Sequence, residues 1–183
     1  MISSVDIELT DEQQAAVRLA TTQELAIVTG GPGTGKTTCM KEVHSTLLRE
    51  GKRVLLLAPT GKAAARLAEQ VGSGASTIHR AIGWRPSGEC VYGPDFPLPF
   101  DAIIVDECSM IDSLLFARLI GCIGDDTSLL LVGDDAQLPP VRAGAPFADL
   151  LTCRSIPSIR LSAIFRQGEG SPVAEAAEAI VHG

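Results

Sequence analysis

The segment Gly30-Gly-Pro-Gly-Thr-Gly-Lys-Thr37 fits the pattern GxxxxGK[ST] and constrains the fold more than any other part of the chain. The apolar run Leu25–Thr29 (LAIVT) stands directly before it, and the helical pattern Thr37–Glu50, closed by Gly51, follows. A glycine-rich turn between a buried strand and a helix lets successive backbone N–H groups curl around an anion. The helix adds its positive N-terminal end. Lys36 then supplies a point charge for the β and γ phosphates of a nucleotide, and the Thr37 hydroxyl is a magnesium ligand. The expected cofactors are therefore ATP and Mg2+. The binding residues are Gly30, Gly31, Pro32, Gly33, Thr34, Gly35, Lys36, Thr37 and Thr38.

The same alternation of apolar runs and helical stretches continues along the chain. Val54–Ala58, Ala102–Asp106, Leu129–Val132 and Ser158–Leu161 read as strands; Lys62–Gln70, Leu114–Ile120 and Val173–Val181 read as helices. Near-continuous apolar strands separated by helices predict an α/β fold with a mostly parallel sheet and helices on both faces. Trp84–Phe100 holds Pro86, Pro94, Pro97 and Pro99 with Gly88 and Gly93, and reads as an irregular connection. At 183 residues the chain has the length of one domain, and its 45% hydrophobic share is enough for a buried core.

Several classes are disfavoured. No apolar run reaches the ~18 residues of a membrane span. The N-terminus lacks a basic start followed by an apolar stretch, so no secretion signal is expected. Cys39, Cys90, Cys108, Cys122 and Cys153 form no CxxC pair, which argues against zinc and a disulfide framework and for a reduced, cytoplasmic setting. The net charge of −7 alone argues against a general nucleic-acid binder. Its distribution is uneven: residues 36–85 hold nine Lys/Arg and three Glu, whereas residues 86–183 hold five Arg and fourteen Asp/Glu. The middle of the chain offers either a basic surface or solvated helix faces.

Ile103-Ile-Val-Asp-Glu107 ends an apolar strand in two carboxylates. Unpaired charge is costly to bury, so beside a phosphate loop this pair reads as functional. Asp106 is placed to hold magnesium, and Glu107 to polarise the water that attacks the γ-phosphate. After the run Leu129–Val132, Gln137 sits in a polar turn at the carboxyl edge of the sheet, where ligands of open α/β folds bind. It could hydrogen-bond the γ-phosphate or the water; alone it is an ordinary turn residue. Arg166 could stabilise charge on the γ-phosphate. Alone it is an ordinary surface cation.

Taken in order, these motifs resemble the first RecA-like domain of a superfamily 1 DNA helicase of the RecD-like group, from about Leu9 to Val173. LTDEQQAAV (9–17) is similar to the Q motif, GGPGTGKTT (30–38) to motif I and APTGKAAARL (58–67) to motif Ia. ASTIHRAIGW (75–84) resembles the Thr-x-His segment, VDECSMID (105–112) motif II, GDDAQLPPV (133–141) motif III and LSAIFRQGEGSPV (161–173) motif IV. The resemblance implies a RecA-like P-loop NTPase domain. Gln13, with Gln14 as the less favoured choice, would read the adenine. Lys36, Glu107, Gln137 and Arg166 would be catalytic, with Gln137 coupling the ATP state to DNA. Thr37 and Asp106 would hold Mg2+. Pro59, Thr60, Gly61, Lys62, Thr77 and His79 would touch the backbone of single-stranded DNA, a contact that needs no sequence readout. His79 could instead belong to a short helix capped by Ser76 or Thr77. Trp84 could stack on a base, or pack against the core.

The family places a second RecA-like domain after motif IV, and this chain stops at Gly183. Residues 1–183 are accordingly expected to be a single motor domain cut from a longer helicase, binding ATP weakly, hydrolysing it slowly and not unwinding DNA by itself. Its expected partners are single-stranded DNA, the second RecA-like domain of the parent chain and helicase–nuclease subunits, with no membrane. The 5′→3′ polarity follows only from the RecD-like resemblance. Two other readings stay open: a helicase-like domain of a relaxase or nuclease fusion, and a stand-alone ATP-dependent switch or binding module.

Overall fold

The computed structural model describes residues 9–138 and 140–163. Strand β1 (Leu25–Gly30) is buried from Ala26 onward because it lies inside a six-stranded sheet. The order across the sheet is β3 (Ala75–Thr77), β2 (Val54–Ala58), β4 (Ala102–Val105), β5 (Ser128–Gly133), β1 and β6 (Ser158–Leu161), and every neighbouring pair is parallel.

Side chains alternate across a strand, so an unbroken apolar run must feed two cores. Ala26, Val28, Leu56, Ile104, Leu130 and Val132 join one core, with α1 (Asp11–Thr22), α2 (Lys36–Arg49) and α3 (Gly61–Val71) packed over it. Ile27, Leu57, Ile103, Val105, Leu129 and Leu131 point the other way. There they meet α4 (Ile78–Ala81), a 3-10 turn (Cys108–Met110), α5 (Ser113–Ile120) and α6 (Pro146–Thr152). The expected sheet with helices on both faces is what forms.

Side-chain caps fix where several helices start. Thr10 and Gln13 form a capping box on α1, Thr60 accepts from the Ala63 N–H at 3.2 Å, Thr77 from the Arg80 N–H at 3.3 Å, and Asp112 from the Leu115 N–H at 2.8 Å. Each such cap contributes about 1 kcal/mol.

Several boundaries, most by one residue, and several elements differ from the sequence reading. The expected strand Ala102–Asp106 ends at Val105. Asp106 still donates its N–H to the Leu57 carbonyl at 2.9 Å, but Glu107 then turns to φ 55° and breaks the extended run. The phosphate-loop helix begins at Lys36 rather than Thr37. Helices α1 and α6 and strand β3 were not read from the pattern. The expected helix Val173–Val181 lies outside the described residues, as does Arg166. Trp84–Phe100 is irregular as expected, with Gly93 and Phe96 bonded to each other through their backbones and the Tyr92 and Phe96 rings stacked at 5.4 Å.

Candidate functional site

All six strands run the same way, so the segments that follow them collect along one carboxyl edge. The phosphate loop leaves β1 there. Gly33 and Gly35 take φ of 77° and 86°, values open to glycine at little cost, and Gly35 forms the N-cap of α2. Gly30 is required for another reason: a Cβ there would lie 2.7 Å from the Leu161 carbonyl oxygen and from the Thr34 hydroxyl. Thr34, itself buried, donates to the Gly31 carbonyl at 2.9 Å and ties the loop across its base. The Lys36 ammonium donates to the carbonyls of Gly30 and Gly31 at 2.5 and 2.9 Å, so it is held over the loop.

The loop forms one wall of a pocket of about 520 Å³. Asp106 and Glu107 enter from β4, and Asp134 and Gln137 from the turn after β5. Asp106 accepts the Glu107 N–H at 2.8 Å. Burial pushes its carboxyl up to about 6; the Glu107 charge adds to that, while the Glu107 N–H, Lys36 and Arg66 oppose it. The poorly solvated Asp106 carboxylate and Thr37 line the same pocket, and a carboxylate with a hydroxyl is a hard oxygen donor set that suits magnesium. Among the described residues no group of three or more His, Cys, Asp or Glu forms a protein-only metal cage. A site that completes its coordination with phosphate and water needs none.

Gln137 stands within reach of the acidic pair. Its Nε2 lies 3.5 Å from a Glu107 carboxylate oxygen, and its Oε1 accepts the Ser109 hydroxyl at 3.2 Å. Asp134 is buried and braces the turn by accepting the Ala136 N–H at 3.0 Å. Asp135 ties the same turn to β1 and β6, accepting the Thr29 hydroxyl at 2.9 Å and pairing with Arg160 at 3.1 Å.

The pocket thus gathers Gly31 through Thr38, Asp106, Glu107 and Gln137. It is not lined by Gly30 or Gln13. Gln13 is buried; its Oε1 accepts the Thr10 N–H at 3.1 Å, and its carbonyl accepts the Cys39 thiol at 3.4 Å. Gln14 is exposed and donates to the Leu9 carbonyl at 3.0 Å. Three lining residues on α3, Ala63, Arg66 and Gln70, were not singled out from the sequence. Their spacing, one helical face just after a glycine-lysine pair, was the available signal.

The segments after β2 and β3 stand side by side, since Ala58 pairs with Thr77. Thr60 and Thr77 are N-caps there, and Gly61, Lys62 and His79 are exposed. Two helix starts next to an exposed lysine form an anion-facing edge. His79 belongs to the short helix capped by Thr77, and its ring stacks on Trp84 at 4.9 Å and 18°. Trp84 is half-buried and packs against the second core.

The family model described as AAA domain matches residues 8–183. The chain belongs to the AAA domain family. This AAA domain is 41% identical over 175 residues to the ATP-dependent RecD2 DNA helicase of Deinococcus radiodurans, a match covering 96% of this chain and 24% of that protein. It is 40% identical over 189 residues to the RecBCD enzyme subunit RecD of Mycolicibacterium smegmatis, covering 88% of this chain and 34% of that one. The AAA domain therefore spans about a quarter to a third of the curated relatives it matches. Among solved structures it resembles a Pif1 helicase from Bacteroides in complex with ADP-AlF3 and ssDNA. That likeness has a TM-score of 0.62 and 24% identity over 90% of this chain and 44% of that one, and it shows the fold. The RecD-like resemblance and the RecA-like fold expected from the motifs are both borne out. No helix among the described residues is long and apolar enough to cross a membrane.

Proposed function

We propose that the chain is the ATP-binding motor domain of an ATP-dependent DNA helicase that moves 5′→3′ along single-stranded DNA within a longer protein. One observation carries this reading: the phosphate loop, the acidic pair and Gln137 line a single pocket at the sheet edge that also holds the Thr60 and Thr77 helix starts. The RecD and RecD2 relatives support the choice of DNA as the track.

In this reading the loop N–H groups and Lys36 hold the β and γ phosphates, and Gln13 meets the adenine. Thr37 and Asp106 would hold Mg2+, which when bound neutralises phosphate charge. Glu107 accepts a proton from a water whose oxygen forms a bond to the γ phosphorus as the bond to the bridging oxygen breaks and ADP leaves. Gln137, already bonded to Glu107 and Ser109, senses whether the γ-phosphate is present. Arg166 adds positive charge to the same phosphate. Pro59, Thr60, Gly61, Lys62, Thr77 and His79 touch the DNA backbone through N–H groups, hydroxyls and charge, which suits a motor that must pass every sequence.

Replacing Lys36 tests the core of the proposal. Lys36→Ala should weaken binding of a fluorescent ATP analogue by at least about tenfold, as expected for losing a charge-assisted phosphate contact. Unchanged affinity would show that the nucleotide sits elsewhere.

A further inference from the structure

Helix α3 carries a cation that the motif roles above leave unused. Arg66 is exposed, lines the nucleotide pocket, and among the described residues joins no ion pair. Ala63, Arg66 and Gln70 fall at i, i+3 and i+7 and share one helical face. Ala64, Leu67 and Val71 are buried in the core, which fixes the rotation of α3 and keeps Arg66 toward the pocket.

The surroundings indicate which end of a nucleotide Arg66 meets. On this face of the sheet α2 lies between α1, which packs on β6, and α3, which packs on β2 and β3. Gln13, the residue read as meeting the adenine, belongs to α1. Arg66 enters from the opposite side, near the acidic pair. In the pocket, Lys36 alone would face Asp106, Glu107 and Asp134, and a γ-phosphate adds more negative charge beside them. A guanidinium offers a planar fork of donors that matches phosphate oxygens and holds its charge at every working pH.

We propose that Arg66 binds the γ-phosphate of ATP from the α3 side of the pocket. The inference rests on the nucleotide reading of that pocket. It gives the site a means of telling ATP from ADP, which lacks the group Arg66 grips. It also ties the γ-phosphate to the helix whose first turn, Thr60 to Lys62, lies at the edge assigned to DNA. Lys62 precedes Arg66 by one helical turn.

The test is titration of Mg2+ with the β,γ-imido analogue of ATP and, separately, with ADP, against the unmodified chain and the variants Arg66→Ala, Arg66→Lys and Lys36→Ala. Arg66→Ala should lose about tenfold in affinity for the ATP analogue and less than about twofold for ADP, with Arg66→Lys recovering part of the loss. Thermal unfolding should be unchanged, because Arg66 is exposed. Equal losses for both nucleotides, or no loss for either, would overturn the inference. The Lys36→Ala arm separates the two claims. If that variant binds both nucleotides normally, the nucleotide reading of the pocket itself is wrong; if it loses both while Arg66→Ala keeps the unmodified ATP-to-ADP ratio, only the role of Arg66 fails.

Discussion

Along one sheet edge, the stretch over β1, β4 and β5 holds Gly33, Gly35 and Glu107 in left-handed backbone and buries the Asp106 carboxylate. The stretch over β2 and β3 is relaxed: Thr60 and Thr77 take extended conformations, and Lys62 and His79 face solvent. The first is shaped before any ligand arrives and costs stability to keep. The second is an ordinary pair of capped helix starts, and the DNA contact proposed there would rest on N–H groups and charge. A pre-shaped site should fail sharply when one atom changes, and a relaxed surface should fail gradually.

The sharpest expected break is at Glu107. Glu107→Gln in the longer parent protein should bind Mg2+ and ATP normally while turnover falls by about a thousandfold, within the range for removing a general base. Single-turnover hydrolysis with a parallel binding titration checks it; a loss of binding equal to the loss of rate would assign Glu107 to holding the nucleotide instead.

Asp106 gives a middle-sized effect of opposite sign on stability and activity. Its carboxyl is raised from 3.8 to about 6, so the stability it contributes is full below 3.8 and is lost as pH rises through 6. At pH 7.5 the folded chain therefore carries the whole cost of a poorly solvated charge. Asp106→Asn should be more stable there by up to about 3 kcal/mol, the gain should shrink toward pH 4, and magnesium-dependent turnover should be lost. Urea melts at several pH values decide it, and an Asn variant no more stable than Asp at pH 7.5 would contradict the burial argument.

The smallest effect belongs to the relaxed edge. Lys62→Ala should weaken single-stranded DNA binding equally for all sequences and lower the slope of log affinity against log salt by about 1. A variant that changed sequence preference and left the slope intact would mean that Lys62 reads bases.

The same contrast explains what was legible beforehand. Strands β1, β2, β4 and β5 could be read because burial on both faces demands unbroken apolar runs, as in LAIVT and VLLLA. Strand β3 is three half-buried residues, Ala-Ser-Thr, too short to show any period, and exists because β2 offers it an edge. Helix α6 has only seven residues and a proline at its start, so it too left little pattern. At the site, the loop and the acidic pair are each an unbroken run of residues and are visible as motifs. Arg66 and Gln70, which line the pocket, and Ser109, which donates to Gln137 beside it, are not, because their part depends on which face of α3 the core buries and on where the 3-10 turn meets Gln137.

Among the described residues Glu107 is the non-glycine residue with a positive φ. Glutamate has no local side-chain bond to offset that conformation, whereas Asn and Gly adopt it readily, at a saving of roughly 1 kcal/mol. If Glu107 has the role proposed above, position 107 is under two opposed demands. Random change filtered only for a folded chain would drift toward Asn or Gly, and a chain kept for turnover would hold on to Glu. A library of variants at this one codon, sorted once for solubility and once for ATP consumption, would return two different amino acids.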